Sequence, residues 1–215
     1  MNNKDIDNYI KRYTGRFEQY GYSPETLGWG KNGKQEVRFS VLGELAIRDK
    51  NSSVLDVGCG FADLYLYLLK NGWNGIYTGI DIVPVLVEKA KELHPRINVH
   101  QKGIHSSALE KADYVIASGV FNAKLINESN SSHIEKSLNK MFELCNKAVC
   151  VDFLSTDVDF QKEGSWHTDP LWAFQLVKKL SKRVTLRYDY MPFEFSLIIF
   201  KEDAISEINT FKAYK

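Results

Sequence analysis

A short apolar strand that passes through two closely spaced glycines into a helix constrains this chain more than any other feature. The run is Ser53-Val-Leu-Asp-Val-Gly-Cys-Gly-Phe-Ala-Asp63. Val54, Leu55 and Val57 around Asp56 read as a buried strand, and an apolar helical stretch begins at Phe61. Gly58 and Gly60 allow a sharp turn and let backbone N–H groups approach a ligand at a helix start. Such a junction belongs to an open α/β sheet that binds its ligand beyond the carboxyl ends of the strands.

The rest of the chain repeats the alternation. Strands are expected at 53–57, 76–80, 97–101, 113–118 and 147–154, and helices at 61–71, 84–93, 131–145 and 170–181. Pro84 suits a first helical turn, and His94-Pro95 suits a stop. Ser132-His-Ile-Glu135 has the form of a capping box, and Asp169-Pro170 that of an N-cap before a first-turn proline. Alternation of this kind implies a mostly parallel sheet with helices on both faces. The end differs: strand-like runs at 183–190 and 193–200 flank Met191-Pro192, a connection so short that it permits only an antiparallel pair. Before the alternating core, residues 4–20 read as a helix with Tyr9, Tyr13, Phe17 and Tyr20 on one face. A glycine-rich loop over 27–33 and a second helix over 34–48 follow.

The first motif resembles that of the class I S-adenosylmethionine-dependent methyltransferases. Asp56 closes the strand motif, Gly58-Cys59-Gly60 forms the loop, Asp81 follows in Ile76-Tyr-Thr-Gly-Ile-Asp-Ile82, and Asp113-Tyr-Val-Ile-Ala-Ser-Gly119 stands where that family has its fourth strand. The resemblance covers roughly residues 50–200. It implies a Rossmann-like, seven-stranded, mostly parallel sheet ending in an antiparallel hairpin. Residues 49–215 would form that domain as one unit, with residues 1–48 as a helical lid.

The resemblance also implies a cofactor, S-adenosyl-L-methionine, and a site for it. Gly58, Cys59 and Gly60 would pack against its methionine and ribose portions. Asp81 would accept from both ribose hydroxyls, a carboxylate offering two acceptor oxygens to a vicinal diol. Ile82 would lie on the adenine. Family members often carry Gly-Asp after the third strand. Here Gly103-Ile104 stands instead, which leaves the adenine contact to a backbone carbonyl or His105. Ser118 and Gly119 would face the reactive methyl. In the lid, Tyr13, Arg16, Tyr20, Trp29 and Lys31 combine aromatic faces with cations, which suit adenine and a sulfonium, and Arg38 could pair with the cofactor carboxylate.

A nicotinamide-binding Rossmann domain is the main alternative. Its fingerprint G-x-G-x-x-G ends on a glycine beside a pyrophosphate. Asp63 occupies that position here, and an acid there would repel a pyrophosphate. A non-catalytic protein that binds the same cofactor is the other alternative.

Composition bounds the partners. The 215 residues suffice for one α/β domain with a small extension, and a formal net charge of +1 gives no field that would draw nucleic acid or a membrane. Cys59, Cys145 and Cys150 are odd in number and lack framework spacing, which favours a reducing compartment. A polar start at Met1-Asn-Asn-Lys-Asp5 and the absence of a long apolar run make the cytoplasm the expected location.

Methyl transfer from a sulfonium leaves a neutral thioether, so the enzyme's work is alignment and, for a hydroxyl acceptor, proton removal. Candidate bases are His133, Asp152, His167 and Asp169, with His167 in the polar segment Lys162-Glu-Gly-Ser-Trp-His-Thr-Asp169 the leading choice. The fourth-strand motif Ala117-Ser-Gly-Val-Phe-Asn122 lacks the Pro-Pro-Tyr of DNA amino-methyltransferases. The double-glutamate loop of protein arginine methyltransferases and a catechol-type metal cluster are missing too. The expected acceptor is a hydroxyl on a small metabolite or saccharide, with no metal; oligomeric state is left open.

Overall fold

The structure, a computed structural model, describes residues 1–29 and 34–201. Its strands are β1 (Val54–Val57), β2 (Tyr77–Asp81), β3 (Asn98–Gln101), β4 (Ala112–Ala117), β5 (Cys145–Leu154), β6 (Val184–Arg187) and β7 (Glu194–Phe200). They form one sheet in the order β3-β2-β1-β4-β5-β7-β6. The pairings among β1 to β5 are parallel; β7 runs antiparallel to both β5 and β6. This is the mixed sheet the sequence implied. Strand order reverses between β1 and β4, so their carboxyl ends open a crevice.

The helices are α1 (Asn3–Tyr20), α2 (Gln35–Leu42), α3 (Glu44–Arg48), α4 (Asp63–Lys70), α5 (Pro84–Leu93), α6 (Asn130–Leu144) and α7 (Pro170–Lys178). Alternating side chains along the central strands feed two cores. Val115 and Ala117 of β4, with Val149 and Val151 of β5, pack with Ile134, Leu138 and Met141 of α6 and Val177 of α7. Ile116 and Cys150 point the other way, to a core holding Leu42 of α2, Leu68 of α4 and Ala90 of α5.

Several boundaries differ from the sequence reading. The helix expected at 34–48 divides at Gly43, where an added Cβ would lie 2.8 Å from the Phe39 carbonyl oxygen and 2.9 Å from a Leu68 methyl. The helix expected from residue 61 begins at Asp63, because Ala62 turns through φ 63°. Ser129, not Ser132, caps α6: its hydroxyl accepts the Ser132 N–H at 3.4 Å, so Ser132-His-Ile-Glu135 lies inside the helix. The strand expected at 147–154 begins two residues earlier, as β5 leaves α6 directly at Cys145. Among the described residues no helix is long and apolar enough to cross a membrane.

Candidate functional site

At the carboxyl ends of β1, β2 and β4 lies a cavity of about 360 Å³. Its floor is the β1–α4 turn. Gly58 and Gly60 stand at φ +72° and +54°, conformations that side chains rarely tolerate. A Cβ on Gly58 would also come within 2.5 Å of a Val120 methyl. The N–H groups of Gly58 and Cys59 donate to the Ile80 carbonyl at 2.8 and 3.1 Å, which ties the turn to β2.

Asp81 ends β2 and is buried. One carboxylate oxygen accepts the Gly60 N–H at 2.9 Å and the other accepts the Val83 N–H at 2.9 Å. Each oxygen keeps a lone-pair direction for a further donor. Burial raises this carboxyl above the usual range, against the pull of those N–H groups. Asp56 lies deeper and accepts the Tyr77 hydroxyl at 2.6 Å. Burial pushes its carboxyl up to about 7, with the Tyr77 bond opposing and the charge of Asp81 adding. Asp63 also lines the cavity and accepts the Tyr22 hydroxyl at 2.7 Å. A carboxylate at that third-glycine position is unsuited to a pyrophosphate and tolerant of a cation.

Opposite the turn, Ser118 and Gly119 follow β4. The Ser118 hydroxyl donates to one oxygen of Asp152 at 2.9 Å, and the Gly119 N–H donates to the other at 2.5 Å. Burial pushes the Asp152 carboxyl up to about 7; the charge of Glu194 adds, and the Gly119 bond opposes. Gly119 has φ +69°, and a Cβ there would collide with the Trp29 indole. Tyr9 and Tyr13 of α1 close another wall, their rings 5.8 Å apart. The α1 segment is anchored at its start: Asp5, buried, accepts the N–H groups of Ile126 and Asn127, both at 3.0 Å. Burial alone would raise the Asp5 carboxyl, but these donors hold it below the usual value.

The cavity thus brings together Tyr13, Trp29, Asp56, Gly58, Cys59, Gly60, Asp81, Ile82, Gly103, Ile104, Ser118 and Gly119. Six residues expected at the site stand off its wall: Arg16, Tyr20, Arg38, Asp152, His167 and Asp169. Arg38 does not face the cavity: its guanidinium forms a two-pronged buried ion pair with Glu194, and a role toward a cofactor carboxylate would require breaking it. Asp152 lies behind Ser118 and Gly119 rather than on the wall. His167 is also off the wall. Its Nδ1 meets the Ser155 carbonyl at 2.6 Å, while its Nε2 is buried without a partner. Lys31 lies outside the described residues.

The cavity also has a wall the sequence reading did not assemble: His105, His133, Ser137 and Phe121. Ser137 Oγ and His105 Nε2 are 3.4 Å apart, and the Phe121 ring meets His133 edge-on at 5.9 Å. Burial, with the chain's amino terminus adding, pushes His133 down to about 4, so it is neutral at pH 7 with its Nδ1 buried and unpartnered. His133 and Ser137 are four apart on α6, a spacing that would have paired them on one face. Among the described residues no group of three or more His, Cys, Asp or Glu could hold a metal ion.

Comparison with known proteins agrees with this geometry. The sequence pattern of a family described as "Methyltransferase domain" matches residues 48–182. A Mycobacterium tuberculosis protein, Rv1506c, which carries a provisional methyltransferase name, is 31% identical over 155 residues, 69% of this chain and 93% of its own. Among solved structures, the magnesium protoporphyrin IX methyltransferase of Synechocystis PCC 6803 with bound S-adenosylmethionine superimposes with a TM-score of 0.66 at 13% identity, over 92% of this chain and 97% of that one. The plantazolicin methyltransferase BpumL, in complex with a triazolic desmethylplantazolicin analogue and S-adenosylhomocysteine, gives 0.63 at 14% identity, over 93% and 99%. At these identities the structural likeness speaks for the fold.

Proposed function

Because this chain belongs to the methyltransferase-domain family and is an S-adenosylmethionine-dependent methyltransferase, we propose that it methylates a hydroxyl of a small metabolite or saccharide. When bound, the cofactor supplies an electrophilic methyl on a sulfonium. Gly58, Cys59 and Gly60 would hold its methionine and ribose portions, and the free lone pairs of Asp81 would take the ribose diol. Ile82, Gly103 and Ile104 would frame the adenine, while Tyr13 and Trp29, which line the cavity, would close over the site with residues 1–48 as a lid.

One observation carries the choice of a hydroxyl acceptor. Ser118 faces the cavity and hands its hydroxyl proton toward Asp152, a carboxyl held near 7. A proton acceptor poised near neutral pH is what an alcohol needs as its oxygen attacks. Ser118 Oγ would take the proton of the acceptor hydroxyl while Ser118 passes its own to Asp152, which readies the acceptor oxygen for the methyl that the cofactor would supply. His167 supports a second reading. If its Nδ1–H donates to the Ser155 carbonyl, Nε2 is left as a lone-pair acceptor.

Variants separate the two. Asp152→Asn keeps an acceptor for the Gly119 N–H and should lower turnover about a hundredfold with S-adenosylhomocysteine affinity unchanged. Wild-type turnover in His167→Ala would remove His167 from the mechanism. An acceptor screen that found transfer only to protein or nucleic acid would refute the small-acceptor reading. Deleting residues 1–32 without loss of cofactor affinity or activity would refute the lid.

A further inference from the structure

We propose that Arg38 and Glu194 are positioning residues: their ion pair is a strut that holds the Trp29 indole against Gly119 and so shapes the cavity where the methyl is transferred. Three independent features meet here. In the antiparallel β5–β7 register, Asp152 pairs with Ser196 and Leu154 with Glu194, so all four side chains share one face of the sheet. That face also carries Cys150, which packs in the same core as Leu42 of α2. Arg38 descends from α2 onto it, and both its Nε and an NH2 nitrogen bind Glu194, with the pair almost fully buried.

The guanidinium has a second contact. Its carbon stands 4.1 Å from the centroid of the Trp29 ring, so the indole lies on the flat cation that Glu194 has fixed. Carbons of the six-membered ring of the same indole fill the space where a Cβ of residue 119 would go. The order is Glu194, Arg38, Trp29, Gly119, and the Gly119 N–H is itself held by Asp152. A guanidinium suits this use because it stays planar and charged, binding a carboxylate with its edge while stacking with its face. A buried ion pair is a poor source of net stability, so its value here lies in the orientation it imposes. The inference rests on the methyltransferase assignment and not on the identity of the acceptor.

The test is acrylamide quenching of Trp29 fluorescence in the full chain, isolated by subtracting the signal of Trp29→Phe. Arg38→Lys keeps the charge but loses the fork and the flat face. The double variant Arg38→Met, Glu194→Gln leaves no unpaired charge and guards against a single change that fails to fold. In either variant, once circular dichroism shows it folded, the Trp29 component should lose its shielding, and S-adenosylhomocysteine affinity should fall about tenfold as the freed indole must be ordered on binding. A purely structural pair would lower the melting temperature and leave Trp29 shielded. Trp29 as shielded in both folded variants as in wild type would overturn the proposal. Quenching is read without ligand, so it decides the strut even if S-adenosylhomocysteine fails to bind, an outcome that would count against the functional reading instead.

Discussion

Gly119→Ala should cost much more in the presence of Trp29 than in its absence. The residue stands at φ +69°, where an L side chain costs roughly 1–2 kcal/mol. Its new Cβ would also enter the volume of the indole, and overpacking of this kind costs roughly 1–3 kcal/mol. The single variant should therefore lose about 2–5 kcal/mol, a fall in melting temperature of roughly 4–20 °C for a domain of this size. In a Trp29→Ala background only the backbone cost remains, about 1–2 kcal/mol. The loss of unfolded-chain entropy that favours alanine is the same in both backgrounds and cancels. Urea denaturation followed by circular dichroism, run on wild type, both single variants and the double variant, gives the coupling directly. A coupling of about 1–3 kcal/mol is expected; additivity to within about 0.5 kcal/mol would show that the indole does not occupy that space.

Asp56 has a folded value of about 7 against 3.8 for the free group, so folding disfavours its ionised form. Relative to Asp56→Asn, wild type should lose stability as pH rises from about 4 to about 7 and then run level, as melting temperatures across that range would show. Asp5 has the opposite sign: its lowered value stabilises the fold above the free value of 3.8, and that contribution should vanish as pH falls through the lower folded value, an effect absent from Asp5→Asn. If Asp152 is the proton acceptor, turnover should rise with pH through about 7, and a profile flat from pH 6 to 8 would exclude it. Asp169→Ala removes the acceptor for the Leu171 and Trp172 N–H groups at 2.7 and 3.1 Å and should cost about 1 kcal/mol in thermal denaturation without altering cofactor binding.

What the sequence made legible was local. The turn through Gly58 and Gly60, the acid at Asp81 and the strand carrying Ser118 and Gly119 are each set by a few contiguous residues. The fold's strand order places their ends around one crevice. What it hid was long-range. Nothing near Arg38 signals that its partner is Glu194, 156 residues away on a strand that inserts between β5 and β6. From the sequence alone a cofactor carboxylate is a reasonable partner for the guanidinium; the fold supplies a carboxylate from β7. Asp152 illustrates the same limit. Strand alternation shows that it points away from Val151, but only the packing of β4 shows that both its oxygens are taken by Ser118 and Gly119. The wall of His105, His133 and Ser137 was half legible. Periodicity on α6 pairs His133 with Ser137, whereas their meeting with the loop after β3 depends on the tertiary fold.

Calorimetric titration with S-adenosylmethionine and S-adenosylhomocysteine, with NAD(H) as control and Asp81→Ala as the second protein, decides whether this cavity holds S-adenosylmethionine through Asp81. Micromolar affinity for both sulfur ligands, about −8 kcal/mol, no heat with NAD(H), and binding lost in the variant are expected. No binding by the wild type, binding of NAD(H) alone, or an Asp81→Ala protein that binds as tightly as wild type would contradict that expectation.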